Sequence, residues 1–127
     1  MKCRHAGAVA VALALGACAS SGPASSDDVE HYTGISLCPS TRVEDLTTEQ
    51  ERDTAPGFSY HVQLTMDRLC ARDFELQLSR ISQGACTPDL LRSSGCSVQD
   101  ASGVTGKHVS ISALVIGAGR YDVRFYQ

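Results

Sequence analysis

Two groups of residues in this chain have types and spacings suited to chemistry. In the first, His61 stands between Ser59 and Gln63, His108 is followed at two-residue steps by Ser110 and Ser112, and Asp122 and Arg124 take the polar positions of a later alternating run. If these runs are neighbouring strands, His61, His108, Ser110, Asp122 and Arg124 share one sheet face, because side chains two apart on a strand point the same way. A histidine, a serine and an aspartate so gathered have the composition of a nucleophile with its base. They equally make the polar outer face of an antiparallel sheet covered on one side only. The second use is the expected one, with the face serving as a fixed surface for a protein partner. The other group is the cysteines, six in 127 residues. No Cys-x-x-Cys pair and no histidine at zinc-finger spacing accompanies them, so neither a metal nor a cofactor is expected. Val115-Ile116-Gly117-Ala118-Gly119-Arg120 starts like a dinucleotide-binding fingerprint, but the third glycine position holds Asp122, so the run is expected to form a turn. GxSxG, HExxH and P-loop patterns are absent.

The beginning of the chain explains two of the six thiols. Lys2 and Arg4 precede an unbroken small or apolar run from Ala6 to Ala17. As a helix this run is about 18 Å long, short of the ~30 Å hydrocarbon core, so it reads as a secretory leader and not as a membrane span. The run ends in Leu15-Gly16-Ala17-Cys18, which resembles the lipobox of bacterial lipoproteins. The resemblance implies that the Cys18 thiol takes a diacylglyceryl group, that a peptidase cuts before Cys18, and that the new amino end is acylated. Several acyl chains hold a protein on a membrane stably where one does not. Ala19, in place of an aspartate, is similar to lipoproteins passed on to the outer membrane. Ordinary secretion, with cleavage after Ala19, is the alternative.

Residues 1–17 are therefore expected to be a signal peptide, 18–34 a lipidated flexible tether, and 35–127 a folded periplasmic domain. The stretch ASSGPASSDDVEHYTG is small, polar and rich in serine and glycine, with His31 a solvated residue within it. Loss of Lys2 and Arg4 leaves nine basic against fourteen acidic residues, a net charge near −5 in place of −3. Nucleic acid and anionic surfaces are poor partners for such a chain. Cys3 leaves with the leader and Cys18 is taken by lipid. Cys38, Cys70, Cys86 and Cys96 then remain for an oxidising compartment, where three pairings are open to them. The expected choice is Cys86–Cys96, closing a local loop, with Cys38–Cys70 tying the N-terminal arm to the core. A stapled loop of that kind offers Leu90 and Leu91 as a second candidate binding surface.

The elements that must position these residues follow from periodicity. Phe58 to Thr65 alternates strictly and follows the breaker Ala55-Pro56-Gly57, which predicts a half-buried strand. Over 66–83, Met66, Cys70, Phe74, Leu78 and Ile81 fall on one helical face, with Arg68, Arg72 and Glu75 pointing away. Asp67 is the expected N-cap and Gly84 the stop, although Phe74 to Leu78 also alternates as a strand would. Thr87 and Pro88 open a short helix. Thr47 to Arg52 is expected to form a polar helical turn. Val109 to Val115 and Tyr121 to Phe125 form a hairpin about Gly117-Ala118-Gly119. The sum is a small α+β domain, a three-stranded, mainly antiparallel sheet packed on one main helix, with an all-β sandwich as alternative. The functional expectation is a non-enzymatic, protein-binding envelope lipoprotein, anchored through Cys18 and without cofactor. In a narrower form it inhibits, or confers immunity to, a cell-wall hydrolase. The alternative is a small periplasmic hydrolase using the His/Ser/Asp face.

Overall fold

A computed structural model describes residues 25–50 and 59–126 of the chain. The leader, Cys3, Cys18 and the end of the polar turn expected at 47–52 lie outside the described residues. The order of elements is α1 (Ser26–Thr33), β1 (Arg42–Asp45), β2 (Ser59–Thr65), α2 (Arg68–Ile81), α3 (Pro88–Ser93), β3 (Cys96–Val98), α4 (Ser102–Thr105), β4 (Ser110–Gly117) and β5 (Arg120–Tyr126). The class is α+β, and the strands form one antiparallel sheet in the order β1-β2-β5-β4-β3. Five strands thus replace the three expected. The two additional ones, β1 and β3, are edge strands of four and three residues, too short to show an alternating pattern. β1 exposes Arg42 and Glu44, charges that discourage further pairing at that edge.

Alternation decides which face is buried. Tyr60, Val62 and Leu64 of β2, Tyr121, Val123 and Phe125 of β5, and Ile111 and Ala113 of β4 all turn inward. α2 lays Ala71, Phe74, Leu78 and Ile81 on them, with the Phe74 and Tyr121 rings 4.9 Å apart edge to face. The helix expected within 66–83 forms over Arg68–Ile81, in place of the extended alternative, because the Asp67 carboxylate accepts the Cys70 N–H at 2.9 Å and the apolar residues recur at helical spacing. Thr87 likewise caps α3, with Pro88 in its first turn.

The expected tether is structured over its second half. Ser25 caps α1, two aspartates occupy its first turn, and Gly34 at φ 79° closes it. Val29 is buried and Tyr32 stacks near Tyr60 and Phe125, which is the apolar gain that polar composition alone conceals. The arm that follows is clamped to α2. Gln77 donates to the Ser36 carbonyl at 2.7 Å and accepts from the Ser36 N–H at 2.9 Å, and a Cys38–Cys70 disulfide lies further along. Cys86–Cys96 joins the start of α3 to β3.

At one end of the sheet the β4–β5 turn touches the joint between β2 and α2, where the Met66 N–H donates to the Gly119 carbonyl at 2.8 Å. Gly119 has φ 68°, and a Cβ there would collide with the Met66 carbonyl oxygen, so both conformation and space require glycine. Among the described residues, no helix is long and apolar enough to cross a membrane.

Candidate functional site

The outer face of the sheet is polar, and no described helix packs on it. Register places His61 opposite Arg124, Arg124 opposite Ser112, and Ser112 opposite Ser97, a row crossing four strands. Asp122 stands one step along, opposite Gln63 and Leu114. His61 Nε2 meets Asp122 Oδ1 at 2.5 Å, a diagonal contact between β2 and β5 with both side chains largely shielded. The backbone of His61 is held by Thr47, whose hydroxyl accepts the His61 N–H at 3.0 Å. The histidine is therefore positioned by β2, by the β1–β2 connection and by β5 together. Ser97, Ser112, Asp122 and Arg124 also line a shallow depression of about 210 Å³.

The serines have other engagements. Ser112 and Ser97 share a hydroxyl–hydroxyl bond of 2.9 Å, and the Ser110 hydroxyl accepts the Asp100 N–H at 3.3 Å. Ser112 lies two strands from His61, about 10 Å at ordinary strand spacing. His108 precedes β4 and stands apart from the row, 79% exposed, with Nδ1 3.5 Å from Asp100 Oδ1. Asp100 is held below the usual carboxylate range, mainly by hydrogen bonds from Ser102 and then by His108. Of the five expected face residues, the structure thus brings His61, Asp122 and Arg124 together. Ser110 and His108 lie toward a corner shared with Asp100. Leu90 and Leu91 separate: Leu90 is partly exposed, whereas Leu91 is fully buried beneath α3 and presents nothing. A short helix following a proline turns only one of two consecutive leucines outward.

A second feature was not legible as a site. A groove of about 630 Å³ lies between the first turns of α2 and the β4–β5 turn, with Arg68, Leu69, Arg72, Glu75, Arg92 and Tyr121 among its lining residues. Glu75, expected to point away, instead accepts the Tyr121 hydroxyl at 2.5 Å and stands 3.6 Å from Arg92. Four residues after buried Ala71, it borders the inward stripe of α2, and this spacing was the available signal. Burial first, then the Glu75 carboxylate, pushes the Tyr121 hydroxyl well above its ordinary value. Its neutral form is thus favoured by folding. The stability this provides is present below pH about 10, where the unfolded chain keeps its tyrosines protonated, and falls as pH rises above it. Urea denaturation at pH 8 to 11 should show the native chain losing stability relative to Tyr121→Phe above pH 10. Parallel curves for the two proteins would refute the assignment.

Among the described residues no group of three His, Cys, Asp or Glu side chains is arranged to hold a metal ion. Comparison with known proteins finds no family model, no curated protein and no solved structure that matches this chain. The functional reading therefore rests on the chain's own chemistry.

Proposed function

We propose that this chain is a lipid-anchored, periplasm-facing lipoprotein of the bacterial envelope that works by binding another protein, without catalysis of its own. The lipobox-like Leu15-Gly16-Ala17-Cys18 supports the anchor, and Ala19 supports the outer membrane as its destination. The observation that carries the binding role is the one-sided sheet. Helices cover its apolar face, while the polar row from His61 to Ser97 lies on the opposite face, shielded at His61 and more exposed toward Arg124 and Ser97, on strands that cannot easily move. Two disulfides in a small domain suit an oxidising compartment. The narrower reading is an inhibitor or immunity protein for a cell-wall hydrolase. The mature charge near −5 would steer it toward basic enzymes of that kind.

In cells, Cys18→Ala should move the protein from the membrane to the soluble fraction. Continued fractionation with membranes would refute the anchor. The full chain carrying Cys18→Ala should protect cell-wall suspensions from a basic muramidase, less so as salt rises. Lack of protection across several hydrolases would refute the inhibitor version. The His61–Asp122 contact favours one second reading, a small periplasmic hydrolase with His61 as base and Asp122 as its orienting partner. Substrate turnover by the chain itself, abolished by His61→Ala, would replace the binding reading with that one.

A further inference from the structure

We infer that the outer face of α2, with the groove at its N-terminal end, docks an acidic, leucine-containing segment of a partner protein. The inference deepens the binding-module reading and rests on it, but it concerns a different surface from the open sheet.

α2 carries two stripes. One is the buried set that faces the sheet. The other consists of Leu69 and Leu76, which at 75% and 55% exposure are the most exposed large apolar side chains among the described residues. Seven residues apart, they are displaced by only about 20° around a helix advancing 100° per residue. Arg72 and Asp73 flank the line between them on opposite sides and Arg80 continues it, all three exposed, with the Asp73 carboxylate already accepting the Gln77 amide at 2.9 Å. Two leucines in register on an exposed helix face, rimmed by charge, form the kind of apolar patch that marks a contact surface. Arginine beside them is weakly hydrated and planar, the cation best suited to leaving water for a carboxylate.

The charge identifies the occupant. Arg68, Arg72 and Arg92 face the groove against the single carboxylate of Glu75, which already holds the Tyr121 hydroxyl and stands beside Arg92. Arg68 and Arg72 have no ion-pair partner among the described residues. The groove is thus locally basic in a chain whose net charge is negative. A segment with alternating carboxylates and leucines satisfies both stripe and groove, with leucines against Leu69 and Leu76 and carboxylates on the arginines. A flat anionic membrane would meet the acidic remainder of the domain and could not enter a recess.

The test uses the full chain carrying Cys18→Ala and a fluorescein-labelled ten-residue peptide of glutamate and leucine, with its lysine-for-glutamate counterpart as control. Fluorescence anisotropy should show saturable binding of the glutamate peptide alone, weakening as salt rises. The double variant Arg68→Ala/Arg72→Ala, and separately Leu69→Ser/Leu76→Ser, should each weaken it at least tenfold while leaving the far-UV spectrum and melting temperature unchanged. Absence of saturable binding, or equal binding by the variants, overturns the inference. Arginine-dependent sedimentation with phosphatidylglycerol vesicles without peptide binding also overturns it, in favour of a membrane contact. Any of these failures leaves the anchored-module reading intact, since that reading fails on Cys18→Ala fractionation and on substrate turnover abolished by His61→Ala.

Discussion

Phe125→Ala is expected to cost about 3–5 kcal/mol of folding free energy, the range for deleting a fully buried aromatic ring. Phe125 is wholly enclosed on β5, the middle strand of five, and its ring lies 5.7 Å from Tyr60 and 6.4 Å from Tyr32. Its loss would open a cavity where β2, β5 and α1 meet, and three separate elements cannot all move in to close it. A domain of this size holds only about 5–15 kcal/mol in total, so the variant would sit near the edge of folding. Urea denaturation followed by circular dichroism measures the effect. A loss below about 1 kcal/mol would mean that Phe125 is not enclosed between Tyr60 and Tyr32 as the structure has it.

The second large effect is expected on removing Cys38–Cys70. Replacing both residues with serine should cost about 4 kcal/mol, against about 3 kcal/mol for Cys86–Cys96, because the closed loops span 32 and 10 residues. The ordering is the informative part. Cys38–Cys70 restrains a long segment of the unfolded chain and pins the arm after α1 to α2. Cys86–Cys96 restrains a short one that α3 already shapes. Reduction of the intact protein with dithiothreitol should reproduce the combined loss. If the Cys86→Ser/Cys96→Ser protein proves the less stable of the two, loop closure is not the governing term.

Both effects fall on parts of the fold that local pattern revealed unevenly. The alternation from Ser59 to Thr65 and the two runs around Gly119 predict strands, because burial on one side writes a period of two directly into the residues. The caps Asp67 and Thr87 are likewise local, since each side chain bonds an amide three residues on. β1 and β3 leave no such trace. They are strands only because β2 and β4 present unpaired edges to them, and no short run of residues encodes its neighbour. α1 was hidden for a related reason. Its composition is polar, and its stability comes from Val29 and Tyr32 finding a surface built by residues far along the chain.

The candidate site divides in the same way. That His61, Asp122 and Arg124 belong to one polar face follows from parity along each strand. Which of them touch does not, since the His61–Asp122 contact requires β2 beside β5 in a particular register, and the same register sets Ser112 two strands away. Glu75 shows the limit most plainly. On a helical wheel it is a charged residue at the margin of the buried stripe, and only the arrival of Tyr121 from the last strand turns it inward and gives the groove its floor.

By itself, then, the sequence determined the strands with strict alternation, the two helices capped by Asp67 and Thr87, the leader-like start with its lipobox-like Cys18, and an even set of four further cysteines. These are properties of neighbours in the chain, and physical chemistry acts on them locally. The tertiary structure alone decided which of three cysteine pairings forms, how many strands the sheet has, which leucine of the Leu90–Leu91 pair is buried, and where Arg68, Arg72 and Arg92 gather. Each of those depends on contacts between residues distant in sequence, whose energies exist only once the sheet has brought them together.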